Sequence, residues 1–325
     1  MLRAYWLVGL MLVTHASALA NDSTASLAAG GLVLEETDEI AMREEDLLIS
    51  EDEVVVRYVF ENVTDEDVTT IVAFPMPLVQ ASYDGDVSIP TGDRDRPIDF
   101  ETMVEGESVA MSVERRALKD GNDITDRLAS FDVPPTLSSE ATAQAIAGLT
   151  IEAKKALLDE GLLRQTQFGG DTVWSDHLAP DWSLKTTYYW EQRFPAGRTL
   201  SIEHRYSPSV SRSLDNVFNY GDEDDIARTR AEYCVDDEFM AAVAERGASE
   251  FFERNLGYVL TTGGNWAGPI GRFTLTVDKG AEHVLVSFCG KEESEKTGPR
   301  TYRLSRTDYV PERDLSILIL WSSPD

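Results

Sequence analysis

Glu53-Val54-Val55-Val56-Arg57-Tyr58-Val59-Phe60-Glu61 alternates with a period of two. Val54, Val56, Tyr58 and Phe60 fall on one face and Arg57 and Glu61 on the other, the pattern of a half-buried strand rich in β-branched and aromatic residues. Working outward, 62–67 is a turn, and 68–74 is a second strand closed by Pro75-Met76-Pro77, because proline gives a ladder no N–H. The spacing predicts another hairpin from 101–104 and 108–113 around Glu105-Gly106-Glu107. Further on, 186–194 and 198–206 flank the turn Pro195-Ala196-Gly197, and Leu200, Ile202, His204 and Tyr206 share a face of the second strand. Strands at 258–262, 272–277, 283–289, 300–304 and 315–321 complete the tail. The expected fold is mainly β: two antiparallel β-sandwich-like units with a helical insertion between them and a short helix in the second.

The insertion is read at 135–165. Thr150 caps a helix over 151–160 with Gly161 at its stop, and a shorter helix precedes it around 140–146. The second unit carries a helix at 237–246, with Asp236 or Asp237 at its start, Arg246 in its last turn and Gly247 beyond. The expected division is therefore a leader over 1–20, an N-terminal β-domain over 21–134, the insertion over 135–165 and a C-terminal β-rich domain over 166–325.

The leader expectation comes from Arg3, an apolar run over 4–13 and Ala18-Leu19-Ala20, with small residues at the two positions a signal peptidase reads. The run is shorter than the roughly 20 residues a membrane span requires. Cleavage after Ala20 predicts a periplasmic protein with no membrane span in its mature form. The whole chain has 29 basic and 58 acidic residues among 325. Loss of Arg3 with the leader leaves 28 bases against 58 acids, a net charge of −30. Such a charge repels phosphate backbones, so nucleic acid is not an expected partner. Cys234 and Cys289 are the two cysteines. In an oxidising compartment they are expected to pair, and closing a loop of about 55 residues stabilises by about 4 kcal/mol on the chain-entropy account.

Several segments together resemble a known family: the opening Asn21-Asp22-Ser23-Thr24-Ala25-Ser26-Leu27-Ala28-Ala29-Gly30-Gly31-Leu32-Val33-Leu34, then Ile40-Ala41-Met42-Arg43-Glu44-Glu45-Asp46-Leu47, Ala73-Phe74-Pro75-Met76-Pro77, and Thr261-Thr262-Gly263-Gly264-Asn265-Trp266-Ala267-Gly268-Pro269-Ile270. The combination resembles the exported bacterial proteins grouped as domain of unknown function 4424, over essentially the whole mature chain. The resemblance implies a strand-built periplasmic protein and brings no activity, ligand or catalytic residue. Residues 53–77 also resemble the N-terminal β-domain of the inter-alpha-trypsin-inhibitor heavy chains, a likeness of fold that carries no function.

No nucleophile elbow, zinc-binding pair or phosphate-cradling glycine loop is present, so no catalytic residue, metal or cofactor is expected. His204 reads as a sheet-packed histidine and His283 as the same at the start of its strand. Two loops stand out as candidate ligand-binding surfaces. Trp174, Asp176, His177, Asp181 and Trp182 lie within nine residues and suit stacking and hydrogen bonding to a sugar or peptide. Asn265 and Trp266 sit in a glycine-rich turn, where Trp266 either faces a ligand or plugs the core. Asp84, Asp86, Asp93, Asp95 and Asp99, and separately Asp222-Glu223-Asp224-Asp225, are acid groups that a calcium site would use, although neither has EF-hand spacing. The expected function is a non-enzymatic binding or scaffolding module of the cell envelope, whose partner is another envelope protein or a glycan. The alternatives are an envelope hydrolase with paired carboxylates, supported by the 174–182 loop, and a calcium-stabilised module.

Overall fold

The structure, a computed structural model, describes residues 21–28, 31–81, 86–87, 99–137, 139–166 and 177–322. The expected leader, together with Asp84, Asp93, Asp95, Trp174 and Asp176, lies outside them.

The decisive strand forms as Val54–Asn62, and the alternation sorts its side chains as read: Val54, Val56, Tyr58 and Phe60 are at most 1% exposed, while Arg57 lies outside. It sits in the middle of an eight-stranded sheet. On one side it pairs with Ile40–Ile49, and beyond that come Ile270–Asp278, Thr301–Tyr309 and Glu295–Lys296. On the other side lie Thr199–Tyr206, Glu101–Val104 and Glu107–Ser108. Every pairing is antiparallel except that of Ile270–Asp278 with Ile40–Ile49, which is parallel. A second sheet runs in the order Asn122–Asp123, Ser112–Lys119, Ser183–Phe194, Val68–Pro75, Ser23–Ala28, Gly31–Glu35. A third is formed by Leu285–Phe288, Leu315–Trp321, Phe252–Tyr258, Ser211–Ser213 and Asp86–Val87. Inward side chains of all three, among them Tyr58, Phe60, Phe74, Trp190, Tyr258, Phe273, Phe288 and Ile317, merge into one apolar core.

Strands from 21–134 and from 166–325 therefore alternate within shared sheets. Thr199–Tyr206 pairs with Val54–Asn62, and Ser183–Phe194 pairs with Val68–Pro75. The helical segment at 135–165 falls between two strands that pair with each other, Ser112–Lys119 and Ser183–Phe194. It has its own small core of Leu128, Val133, Ile146, Leu157, Leu163 and Trp182. Its helices are Glu140–Gly148, capped by Ser139, and Ile151–Asp159, capped by Thr150. Asp237–Arg246 is capped by Asp236, whose carboxylate accepts from the Phe239 amide.

Three local readings are corrected. The hairpin after Glu101–Val104 stops at Glu107–Ser108, and the chain crosses to the second sheet, where Ser112–Lys119 pairs with Ser183–Phe194. The strand expected at 258–262 is instead Phe252–Tyr258, whose pairing ends at Tyr258, followed by a 3-10 turn, Thr261–Asn265. The acids at 222–225 open an unforeseen helix, Glu223–Glu232. Asp222 accepts from the Asp225 amide, and the other three fill the first turn, where the helix dipole favours negative charge. Cys234 and Cys289 are disulfide-bonded, tying the turn after this helix to the end of Leu285–Phe288. No helix among the described residues is long and apolar enough to cross a membrane.

Candidate functional site

Alternate strands of an antiparallel sheet start and finish at the same edge, so that edge gathers residues distant in sequence. At one end of the central sheet meet the 50–53 turn, Asp99 and Glu101, the end of Thr199–Tyr206, the 278–281 turn and Arg300. The third sheet adds Arg254 and Trp321. Together they line an open cleft of about 800 Å³. Its charged groups are Glu51, Asp52, Glu53, Asp99, Glu101 and Asp278 against Arg205, Arg254, Lys279 and Arg300.

The charges are arranged in pairs. Arg205 Nη1 donates to Glu53 Oε2 at 2.7 Å, and Arg254 Nη1 donates to Glu51 Oε2. Arg300 reaches Asp278 Oδ2 at 3.0 Å and the Gly280 carbonyl at 2.9 Å. The Arg254 guanidinium also lies 5.3 Å above the Trp321 ring, a cation–π contact that fixes the ring at the wall. Lys279 donates to the carbonyls of Glu282 and Val284. Burial, and then Lys296, lower its pKa below the usual lysine range. Tyr206 is 3% exposed, and its hydroxyl has no partner among the described residues. Burial pushes that phenol upward, so it remains a neutral donor. The arrangement can hold a polar molecule by exchange of ion pairs and by stacking. Among the described residues no group of three or more His, Cys, Asp or Glu is placed to hold a metal ion.

A second polar cluster is sealed inside the core. The strand Ile40–Ile49 buries Ile40 and Met42, then Glu45, Leu47 and Ile49, a change of parity produced by a β-bulge between Met42 and Glu44. The bulge turns Glu45 inward opposite Tyr58. Gly271 permits it, since a Cβ there would lie 2.7 Å from the Arg43 carbonyl oxygen. Residues 21–23 are wholly buried beside it. Asn21 Nδ2 donates to Glu45 at 3.2 and 3.3 Å, Asn21 Oδ1 accepts from the Tyr58 hydroxyl, and Thr262 Oγ1 donates to the Asn21 carbonyl at 2.8 Å. Asp22 lies 3.0 Å from His204 Nε2, and Thr102 Oγ1 lies 2.9 Å from His204 Nδ1. Phe74, Phe100, Trp190 and Tyr58 ring the imidazole at centroid distances of 4.9 to 5.8 Å. Burial raises the Asp22 pKa, opposed by His204. Burial likewise pushes Glu45 up to about 8, opposed by the Asn21 hydrogen bond and assisted by the Asp22 charge.

In the two loops expected to meet a ligand, the tryptophans among the described residues, Trp182 and Trp266, are buried. Trp182 is 2% exposed and donates from Nε1 to the Pro135 carbonyl at 2.8 Å, anchoring the helical subdomain. Asp181 pairs with Lys119 at 2.8 Å, and His177 lies exposed. Trp266 is 3% exposed, packs 4.5 Å from Phe60 and donates to the Asp22 carbonyl at 2.7 Å. Asn265 donates to Ser23 Oγ at 2.8 Å. Gly263 is needed for closeness, not for positive φ: a Cβ would meet Asn21 Nδ2 at 2.8 Å. His204 is sheet-packed as read, whereas His283 precedes the strand, which begins at Leu285. Apart from Asp99, which the sequence offers only as one of a group of acids, the charged cleft residues read as ordinary surface charges of separate turns and strand ends. The sealed cluster did leave a sequence trace, the parity shift from Ile40 and Met42 to Leu47 and Ile49.

Fold and site together describe a mainly β protein of packed sheets with a charged cleft across their ends. The chain belongs to the family described as "Domain of unknown function (DUF4424)", which matches residues 20–318. No curated protein matches it. Among solved structures it is similar to a Legionella pneumophila subsp. pneumophila str. Philadelphia 1 protein described as a "putative nutrient binding protein". The identity is 16% and the TM-score 0.47, over 93% of this chain and 71% of that one.

Proposed function

We propose that the protein is an exported, periplasmic, non-enzymatic binding module of the cell envelope, and that its ligand face is the cleft at the end of the central sheet. The observation that carries the binding assignment is the cleft itself. Its volume of about 800 Å³ lies within the range of small-molecule sites, and its wall combines ion pairs with an aromatic ring held by Arg254. Paired charges suit a ligand that carries both donors and anionic groups, such as an envelope glycan fragment. The family match beginning at residue 20, beside the expected cleavage point, supports the export reading.

Two measurements test this. The protein recovered from osmotic-shock fluid is expected to begin at Asn21, and retention in the cytoplasm with Met1 intact would end the export reading. Native mass spectrometry with peptidoglycan-derived muropeptides as probes is expected to show a complex with the wild-type chain that Arg254→Ala and Trp321→Ala lose. Complexes of equal abundance in all three would remove the cleft from the account.

A further inference from the structure

We infer that the α-ammonium group created on Asn21 by cleavage after Ala20 is a buried structural cation held by the carboxylates of Glu45 and Asp22, so that removal of the leader completes the fold. The inference rests on the proposed processing site. Hydrolysis of the Ala20–Asn21 amide consumes one water, leaves a carboxylate on Ala20 of the departing leader and puts the ammonium on Asn21.

A chain terminus is normally exposed and weakly held, yet Asn21, Asp22 and Ser23, the first residues of the proposed mature chain, are 0% exposed in the unprocessed chain. The Asn21 side chain is engaged at both ends, by Glu45 and by Tyr58, and its carbonyl accepts from Thr262. Trp266 and Asn265 fasten the next two residues. The turn that does this carries Gly263, where any side chain would collide with Asn21. The fold has built a socket for these residues.

The socket holds two carboxylates, Asp22 and Glu45, and one base, His204, with the Tyr58 and Tyr258 phenols beside them. Among the described residues no lysine or arginine hydrogen-bonds either carboxylate. An unpaired buried charge is expensive and is normally neutralised or paired. With Asn21 acylated the socket is one cation short, which accords with the upward shift of Glu45. A free α-amine, ordinarily protonated below about pH 8, supplies that cation on the residue whose side chain already touches Glu45 and which adjoins Asp22. One extra residue at the N-terminus would replace the cation by a neutral amide.

The test uses the full mature chain released by a protease that leaves Asn21 first, beside the same chain retaining Ala20. The Asn21-first chain is expected to melt about 5 °C or more above the Ala20 chain, and Glu45→Gln is expected to abolish most of that difference. Equal melting temperatures would overturn the inference. Because Glu45→Gln could prevent folding, reductive methylation of the unmutated Asn21-first chain gives an independent reading. The α-amine is expected to react at least about tenfold more slowly than exposed Lys155 and to lose that protection in urea. Reaction as fast as Lys155 would also overturn it. The N-terminus of protein taken from cells reports on processing separately: retention in the cytoplasm with Met1 intact overturns the export reading and this inference with it, whereas a processed start other than Asn21, or equal stability of the two purified chains, sinks the inference alone.

Discussion

Two strands, Ile40–Ile49 and Thr199–Tyr206, deliver acids and bases to two places that differ in everything except residue type. Within the sheet they place Glu45 and His204, at most 1% exposed, against Asp22, Asn21 and two tyrosines. A few residues along, the turn after the first strand and the end of the second bring Glu51, Glu53 and Arg205 to a cleft open to water. The dry cluster has its partners fixed in the core. The wet one has ion pairs that water screens, so exchanging a partner for a ligand is cheap. One location stabilises and the other is free to bind.

The largest expected effect comes from breaking the dry side. His204→Leu leaves the Asp22 carboxylate buried without its base and is expected to cost about 3 to 5 kcal/mol, read from urea denaturation; a loss within error of zero would show that water reaches this cluster. An intermediate effect comes from pH. Glu45 ionises near 4.5 when unfolded and at about 8 in the fold, facing Asp22, Asn21, Tyr58 and Tyr258. The folded state therefore holds an extra proton between those values, and stability present below pH 4.5 is lost as pH rises through 8. In the chain retaining Ala20 the slope from this group should approach, at most, about 1.4 kcal/mol per pH unit. It should vanish in Glu45→Gln and be shallower in the Asn21-first chain, where the ammonium favours ionised Glu45. A flat profile in all three would place Glu45 in contact with solvent. The smallest effect belongs to the wet side. Arg254→Ala should change stability by under about 1 kcal/mol, since its pair with Glu51 is partly exposed, and a loss as large as that of His204→Leu would erase the contrast between the two regions.

How much could be read in advance varies with the range of the interaction. The alternation over 53–61, the caps Thr150 and Asp236 and the stops at Gly161 and Gly247 are local, and the structure keeps them. The acid run at 222–225 was just as local, but a helix start and a cation loop use the same residues, and Asp222 settles as a cap. Trp182 and Trp266 drew attention as ligand platforms because two aromatics in polar loops look exposed in one dimension. Burial placed both in cores, where their indole N–H groups meet carbonyls. Glu45 went unnoticed because a single acid in a run of four charged residues reads as surface until the bulge reverses the parity of the strand.

Composition and periodicity by themselves determined that this is an acidic, strand-built chain with two cysteines, because alternation and charge are properties each segment carries alone. Which strands became neighbours was decided by tertiary structure: the parallel pairing of Ile270–Asp278 with Ile40–Ile49, the shared sheets across the helical subdomain, the cleft and the sealed socket around Asn21. Those features join residues up to about 240 positions apart. The energy that selects them comes from burying one common core and appears only when all three sheets are in place.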